Sequence, residues 1–415
     1  MSPMNILKNR IPLRQFAPAA VLILDSLVWF TLFNQILSNL VDSMALTSTE
    51  NIFLHGIYYA GIAIAAVPGA LVSVRKRENY LFVWMLFGSF MTALPVIIIS
   101  KQIYVNALIL GFAGASVGLG LPSCLAYFAD STAVENRGTY GGIAWSAVGF
   151  SVLGFAFGIS SLGLSTLQTL LALTVWRAAG LPIFFVLSKL RGITEQSPSR
   201  PAYGAILRRR DVALYLLPWI MFSIINFAEV PIVMKGLKTS FAEQPWLIDY
   251  IGFIEFAISG VFAAIGGVIA DQVGRKRVVI TGFVIFGIEY AVLSLFSEIP
   301  ASWYVYTVFD GIAWGMFASV FFMTIWGDLA QTSQKDKFYV LGGLPYLLAS
   351  FIPVLVNPFA QGIETTTAFS LASFFLFIAV LPLVYAPETL PEKKIQEREL
   401  RDYVERAKKA KEKYA

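Results

Sequence analysis

Cysteine, histidine and charge are scarce in this sequence, and each scarcity removes a class of function. The single cysteine, Cys124, excludes an intramolecular disulfide; it stands in an apolar stretch and reads as a small core residue. The single histidine, His55, cannot by itself make a metal site and leaves imidazole acid–base catalysis without material, so it reads as an interfacial residue. There is no Gly-rich phosphate loop between strand and helix and no nucleophile turn. An enzyme, a metal and a cofactor are therefore not expected. Charged residues make up 14% of the chain and apolar ones 57%, against about 25% and roughly 45–50% in soluble domains. The apolar excess has to face something other than water.

Several stretches of membrane-spanning length carry no Asp, Glu, Lys or Arg, among them 51–74, 79–100 and 338–363. The 32 glycines and 19 prolines fit such segments, because neighbouring helices re-satisfy the backbone groups that Pro frees. A span needs about 20 apolar residues. Twelve fit, at 16–38, 53–74, 79–99, 104–127, 139–160, 167–189, 212–234, 247–270, 277–297, 302–327, 338–361 and 366–387. The expected fold is an all-α integral membrane protein of two six-helix bundles, 16–190 and 212–387. A cytoplasmic N-terminus (1–15), a polar linker (191–211) with Arg208-Arg209-Arg210 and a charged tail (388–415) complete the chain. With the N-terminus cytoplasmic, every Lys and Arg except Lys101, Arg177, Lys235 and Lys238 falls on the cytoplasmic side, as the positive-inside bias requires. The positive charge thus follows topology, and nucleic acid is not an expected partner. No cleavable signal peptide is expected, since the first apolar run is too long and lacks a small-residue cleavage site. The tail carries Glu397–Arg401 and Glu405–Lys409 at helical i,i+4 spacing and reads as a solvated helix near anionic headgroups.

The halves repeat. Spans four and ten each carry a small-xxx-small pair, Gly114/Gly118 and Gly311/Gly315, and each is followed by an aspartate, Asp130 or Asp328. Small residues at that spacing let backbones approach. Between spans eight and nine the chain reads Gly267-Val-Ile-Ala-Asp271-Gln-Val-Gly274-Arg275-Lys276-Arg277. This loop resembles the signature of the major facilitator superfamily, G-x-x-x-D-x-x-G-R-[KR]-[KR], in the expected loop of a chain with the expected span count. The resemblance implies a twelve-helix transporter, usually a monomer, whose loop latches the halves on the cytoplasmic side. Gly267 would pack tightly, Asp271 would meet the start of span five near Arg137 and Gly138, Gly274 would permit the turn, and Arg275 and Lys276 would anchor the loop. The first-half counterpart, Gly69-Ala-Leu-Val-Ser73-Val-Arg75-Lys76-Arg77, has Ser in place of Asp, so the gate is expected to be fastened mainly by the second half. Span five lacks the Gly-Pro pair of drug antiporters in this family. Pro387-Glu388-Thr389 has only a short likeness to the corresponding segment of sugar porters.

An ionisable residue within a span costs about 2.5–3.5 kcal/mol on insertion scales and points to function. Asp25, Arg177, Glu229, Glu255, Glu289 and Asp310 are such residues. The family resemblance implies that spans one, four, seven and ten line a central cavity, which places Asp25 and Trp29, Asn226 and Glu229, and Asp310 and Trp314 on its wall, with Glu255 flanking. Arg177 and Glu289 fall on spans expected outside it. A carboxyl withdrawn from water can bind and release a proton, so the expected function is proton-coupled alternating-access transport of a small organic solute across the cell membrane. The net acidic inventory favours a cationic or zwitterionic solute. The rival readings are a multidrug proton antiporter and a transport-inactive receptor or scaffold on the same fold.

Overall fold

The computed structural model describes residues 13–44, 46–72, 77–97, 102–189, 200–330, 334–390 and 404. Residues 73–76 of the first-half loop, Lys101, residues 190–199 of the linker and the helix expected in the tail lie outside the described residues, Val404 excepted. Twelve helices are long and apolar enough to cross a membrane: α1 (Gln15–Asp42), α2 (Ser48–Val72), α3 (Arg77–Ile97), α4 (Ile103–Asp130), α5 (Val134–Leu162), α6 (Thr166–Lys189), α7 (Arg210–Ser240), α8 (Trp246–Val273), α9 (Arg275–Phe296), α10 (Pro300–Ala330), α11 (Lys335–Gly362) and α12 (Thr365–Tyr385). A short helix, Tyr203–Leu207, precedes α7. No strand occurs among the described residues.

Within the first half α2 packs on α4, and α6 on both α1 and α3; the second half repeats this with α8 on α10, and α12 on both α7 and α9. Missing side chains make the closest contacts possible. A Cβ on Gly114 would lie 1.9 Å from the Tyr58 carbonyl oxygen, and one on Gly315 2.5 Å from that of Ser259. These are the repeated small-residue pairs seen in the sequence. The halves meet along two seams. In the α5–α8 seam, a Cβ on Gly267 would sit 2.1 Å from the Gly138 oxygen and one on Gly142 2.3 Å from that of Ala263. Further along α5, Gly154 and Gly158 meet nothing within 4 Å, so the seam is tight at the end carrying the basic loops (the basic face) and loosens beyond Gly149.

The opposite seam pairs α2 with α11, and α11 is broken. It is helical over Lys335–Ala349, turns at Ser350 and Phe351, resumes over Ile352–Val356 and ends as 3-10 helix over Asn357–Gly362. Pro345, Pro353 and Pro358 account for this, since each lacks the N–H of an intrahelical bond. Helix α10 contains a π segment, Phe317–Ile325, a wider winding found mostly in short stretches and often at functional sites. Its geometry is held by Thr324 Oγ1, which donates to the Ser319 carbonyl at 2.7 Å, and by the Tyr339 hydroxyl, which donates to that of Met323.

Gly267→Ala should therefore lower the detergent-solubilised unfolding midpoint, at about 1–3 kcal/mol for overpacking, whereas Gly154→Ala should stay within about 0.5 kcal/mol of the parent. Thermal unfolding of the two variants side by side checks this.

Candidate functional site

The basic face is closed by two ionic clusters that cross between the halves. In the first, the Asp271 carboxylate accepts from the backbone N–H groups of Gly138 at 3.0 Å and Thr139 at 2.7 Å. These are orphan donors at the start of α5, where a negative charge is favoured. Arg275 pairs with Asp271 at 2.5 Å and with Asp328 at 3.2 Å, and its Nη2 reaches across to the Val134 carbonyl at 2.6 Å. Arg137 pairs with Asp328 from the other half. Both guanidiniums are buried, yet two carboxylates match two cations. The turn between α8 and α9 requires Gly274, whose φ is +103°; a side chain there would also strike the Glu388 carboxylate, 2.3 Å from a Cβ. Glu388 in turn accepts from the N–H groups of Arg275 and Lys276 at 2.8 and 3.1 Å, capping α9. The ammonium of Lys276 donates to the Ala386 carbonyl at 3.0 Å.

A second cluster fastens the first-half side as well, where the gate was expected to rest mainly on the second half. Arg77 pairs with Asp130 in its own half and with Asp336 at the start of α11, and Lys335 reaches back to Asp130. The acid absent at Ser73 is supplied by the opposing helix. Gln334 adds a bond to the Ala70 carbonyl at 2.5 Å.

At the other face the halves part around a cavity of about 440 Å³, lined by α1, α2, α7 and the broken end of α11. Asp42, Lys235, Lys238 and His55 bring charge of both signs and an imidazole to its wall. The His55 Nδ1 lies 3.0 Å from the Asn51 carbonyl and donates to it, while Nε2 is buried without a partner.

The residues expected on the cavity wall divide. Asp25 and Trp29 turn into the first half and do not line the cavity. Asp25 pairs with Arg177, whose guanidinium also donates to Ser26 Oγ at 2.8 Å and lies 4.6 and 4.4 Å from the rings of Trp29 and Trp84. This is a charge pair between α1 and α6, enclosed by two indoles. In the second half, Asp310 on α10 stands between Glu255 on α8 and Glu289 on α9. Glu289, on a helix expected outside the cavity, is fully buried, and its carboxyl meets that of Asp310. Tyr290 faces the same carboxyls and Glu229, and its hydroxyl donates to Asn226 at 3.2 Å. No ion pair among the described residues involves Glu229, Glu255, Glu289 or Asp310. Trp314 joins an aromatic cluster with Phe222, Phe227, Phe286 and Tyr346.

Residues 212–412 match the family model of the Major Facilitator Superfamily. Among solved structures, the human organic anion transporter MFSD10 (TETRAN) is similar over 89% of this chain and 99% of its own, with a TM-score of 0.64 and 14% identity. No curated protein matches in sequence. The second half of the chain thus carries the sequence pattern of the major facilitator superfamily, and the whole chain shares the fold of the solved transporter. It is a multi-pass membrane protein and a transporter of small-molecule solutes.

Two outcomes follow from these pairs. Asp25→Asn leaves a guanidinium buried without its anion and should cost about 3–5 kcal/mol. Arg177→Met should cost less, because Asp25 can take up a proton, and the double variant should recover most of the loss in a double-mutant cycle. Asp271→Asn removes the charged acceptor at the start of α5; hydrogen exchange at Gly138 and Thr139 should accelerate at least about tenfold, with no change at the start of α2.

Proposed function

We propose that this protein is a secondary active transporter that moves a small organic solute across the cell membrane by alternating access. The carrying observation is the unequal state of the two faces: ion-paired shut at the basic face, parted around a cavity at the other. With the basic loops and both termini on the cytoplasmic side, as the positive-inside bias favours, the structure is the outward-facing state. Release inward then requires both ionic clusters to break while the cavity closes.

The coupling ion in this reading is the proton. Among the described residues no cationic side chain pairs with Glu229, Glu255, Glu289 or Asp310, and all but Glu255 are buried; adjacent carboxyls cannot all carry charge without a countercharge. Asp25 is committed to Arg177, which moves the carrier role to the second half. Both signs of charge stand on the cavity wall, so organic anions, the substrates named for the similar human transporter, join cationic and zwitterionic solutes as candidates.

The test begins with the unfolding midpoint of the purified protein against sugars, amino acids, organic acids, nucleosides and cationic drugs at pH 5.5 and 7.5; a ligand selective for the folded state raises it. The solute found is then followed into proteoliposomes. Glu289→Gln with Asp310→Asn should abolish accumulation driven by a pH gradient and leave solute exchange at equilibrium intact. Undiminished accumulation with all four carboxyls neutralised overturns proton coupling, and binding without any translocation overturns the transporter reading.

A further inference from the structure

At the plane where the halves meet, one ring is surrounded by others. Tyr346 of α11 lies with its ring centroid 5.0 Å from Phe322, 6.0 Å from Phe227 and from Trp314, and 6.4 Å from Trp219 and from Phe30. Phe30 belongs to the first half and the other rings to α7 and α10. Three members, Tyr346, Phe227 and Trp314, are only half-buried, unlike the surrounding core. The cluster sits below the cavity. One turn beyond Phe227, Val230, Pro231 and Met234 line its wall, and the stretch of α11 that begins at Pro353, two turns beyond Tyr346, forms another part of it.

Tyr346 also rides on a helix built to bend. Pro345 precedes it, the helix stops at Ser350 and Phe351, and Pro353 starts the next segment. Breaks of this kind are where helices kink. The outer segment packs on α7 and is tied to it at its end by the Lys235 ammonium, which donates to the carbonyls of Gln361 at 3.1 Å and Ile363 at 3.0 Å. A bend at Pro345, which lacks the N–H of an intrahelical bond, carries Tyr346 with the outer part of α11, withdraws the phenol ring and leaves a socket walled by aromatic faces and edges below the cavity.

We propose that Tyr346 occupies the ring subsite of the transported solute, and that this solute carries a flat aromatic ring with a charged end. The ring replaces the phenol of Tyr346 when α11 bends, and the charged end points up into the cavity, whose wall carries charge of both signs. The aromatic preference follows from the socket, because stacked and edge-to-face ring contacts stabilise beyond their buried area and a saturated ring of the same size forfeits that part. The proposal rests on the transporter reading for the word transported; the socket itself does not.

The experiment compares matched probes on the full-length purified protein: 3-phenylpropanoate against 3-cyclohexylpropanoate, and 2-phenylethylamine against 2-cyclohexylethylamine. Affinities are taken from the concentration dependence of the unfolding midpoint. The aromatic member of at least one pair should bind about three- to tenfold more tightly than its saturated partner. Tyr346→Ala, which empties the socket, should tighten the aromatic probe further and widen the gap; Trp314→Leu should narrow it. If the two members bind equally, or neither binds, in both the parent and Tyr346→Ala, the proposal fails. Equal tightening of both members by Tyr346→Ala marks a mere cavity and also overturns it. A non-aromatic solute that is transported would remove the socket's role and spare the transporter reading, whereas ring-selective binding in a protein that moves nothing would do the reverse.

Discussion

The closed face depends on the Asp328 carboxylate. Two buried guanidiniums, one from each half, converge on it, and neither can shed its charge. Arg275 orients Asp271, Asp271 holds the first amides of α5, and α5 lies against α8 closely enough for this only because Gly138, Gly142 and Gly267 carry no side chains. Burial of ions is costly unless each is matched. Here matching is achieved only when the halves are together, so the same residues that would destabilise a separated interface stabilise the assembled one.

The two halves solve the same problem with different residues. In the second half the acid stands at the end of α8, at Asp271; in the first it stands on the opposing helix, at Asp336. The interiors differ as well. The first half carries an internal charge pair, Asp25 with Arg177, packed between indoles, while the second carries carboxyls with no paired cation. A half held by its own ion pair is suited to move as a body, whereas the second half holds its buried acids without that internal tie.

Much of this was legible in the sequence. Twelve spans follow from hydrophobic length, the turn at Gly274 from the motif, and the meeting of Asp271 with the start of α5 from the family resemblance. The break in α11 was there to be read in Pro345, Pro353 and Pro358. Asp328 and Asp130 were visible as repeated aspartates after spans four and ten, but their partners were not. Local patterns reach a few residues along a helix, whereas Asp25 and Arg177 meet across 152 positions, and Asp336 replaces a missing acid from a helix that no motif connects to Arg77. Glu289 was named as an in-span acid, but its neighbours were hidden for a related reason: its helix was expected outside the cavity, and its side chain meets Asp310 within its own bundle. The π segment has no pattern that hydrophobic periodicity alone could detect.

Each of the two clusters at the basic face brings together two acids and two bases. Parting the halves there therefore separates charges sideways, in the plane of the membrane, and carries almost no net charge along its normal. A membrane potential acts with about 2.3 kcal/mol per elementary charge moved through 100 mV, and it has little to grip in such a gate. Sensitivity to voltage, in this architecture, would have to come from the solute and from the carboxyls of the second half.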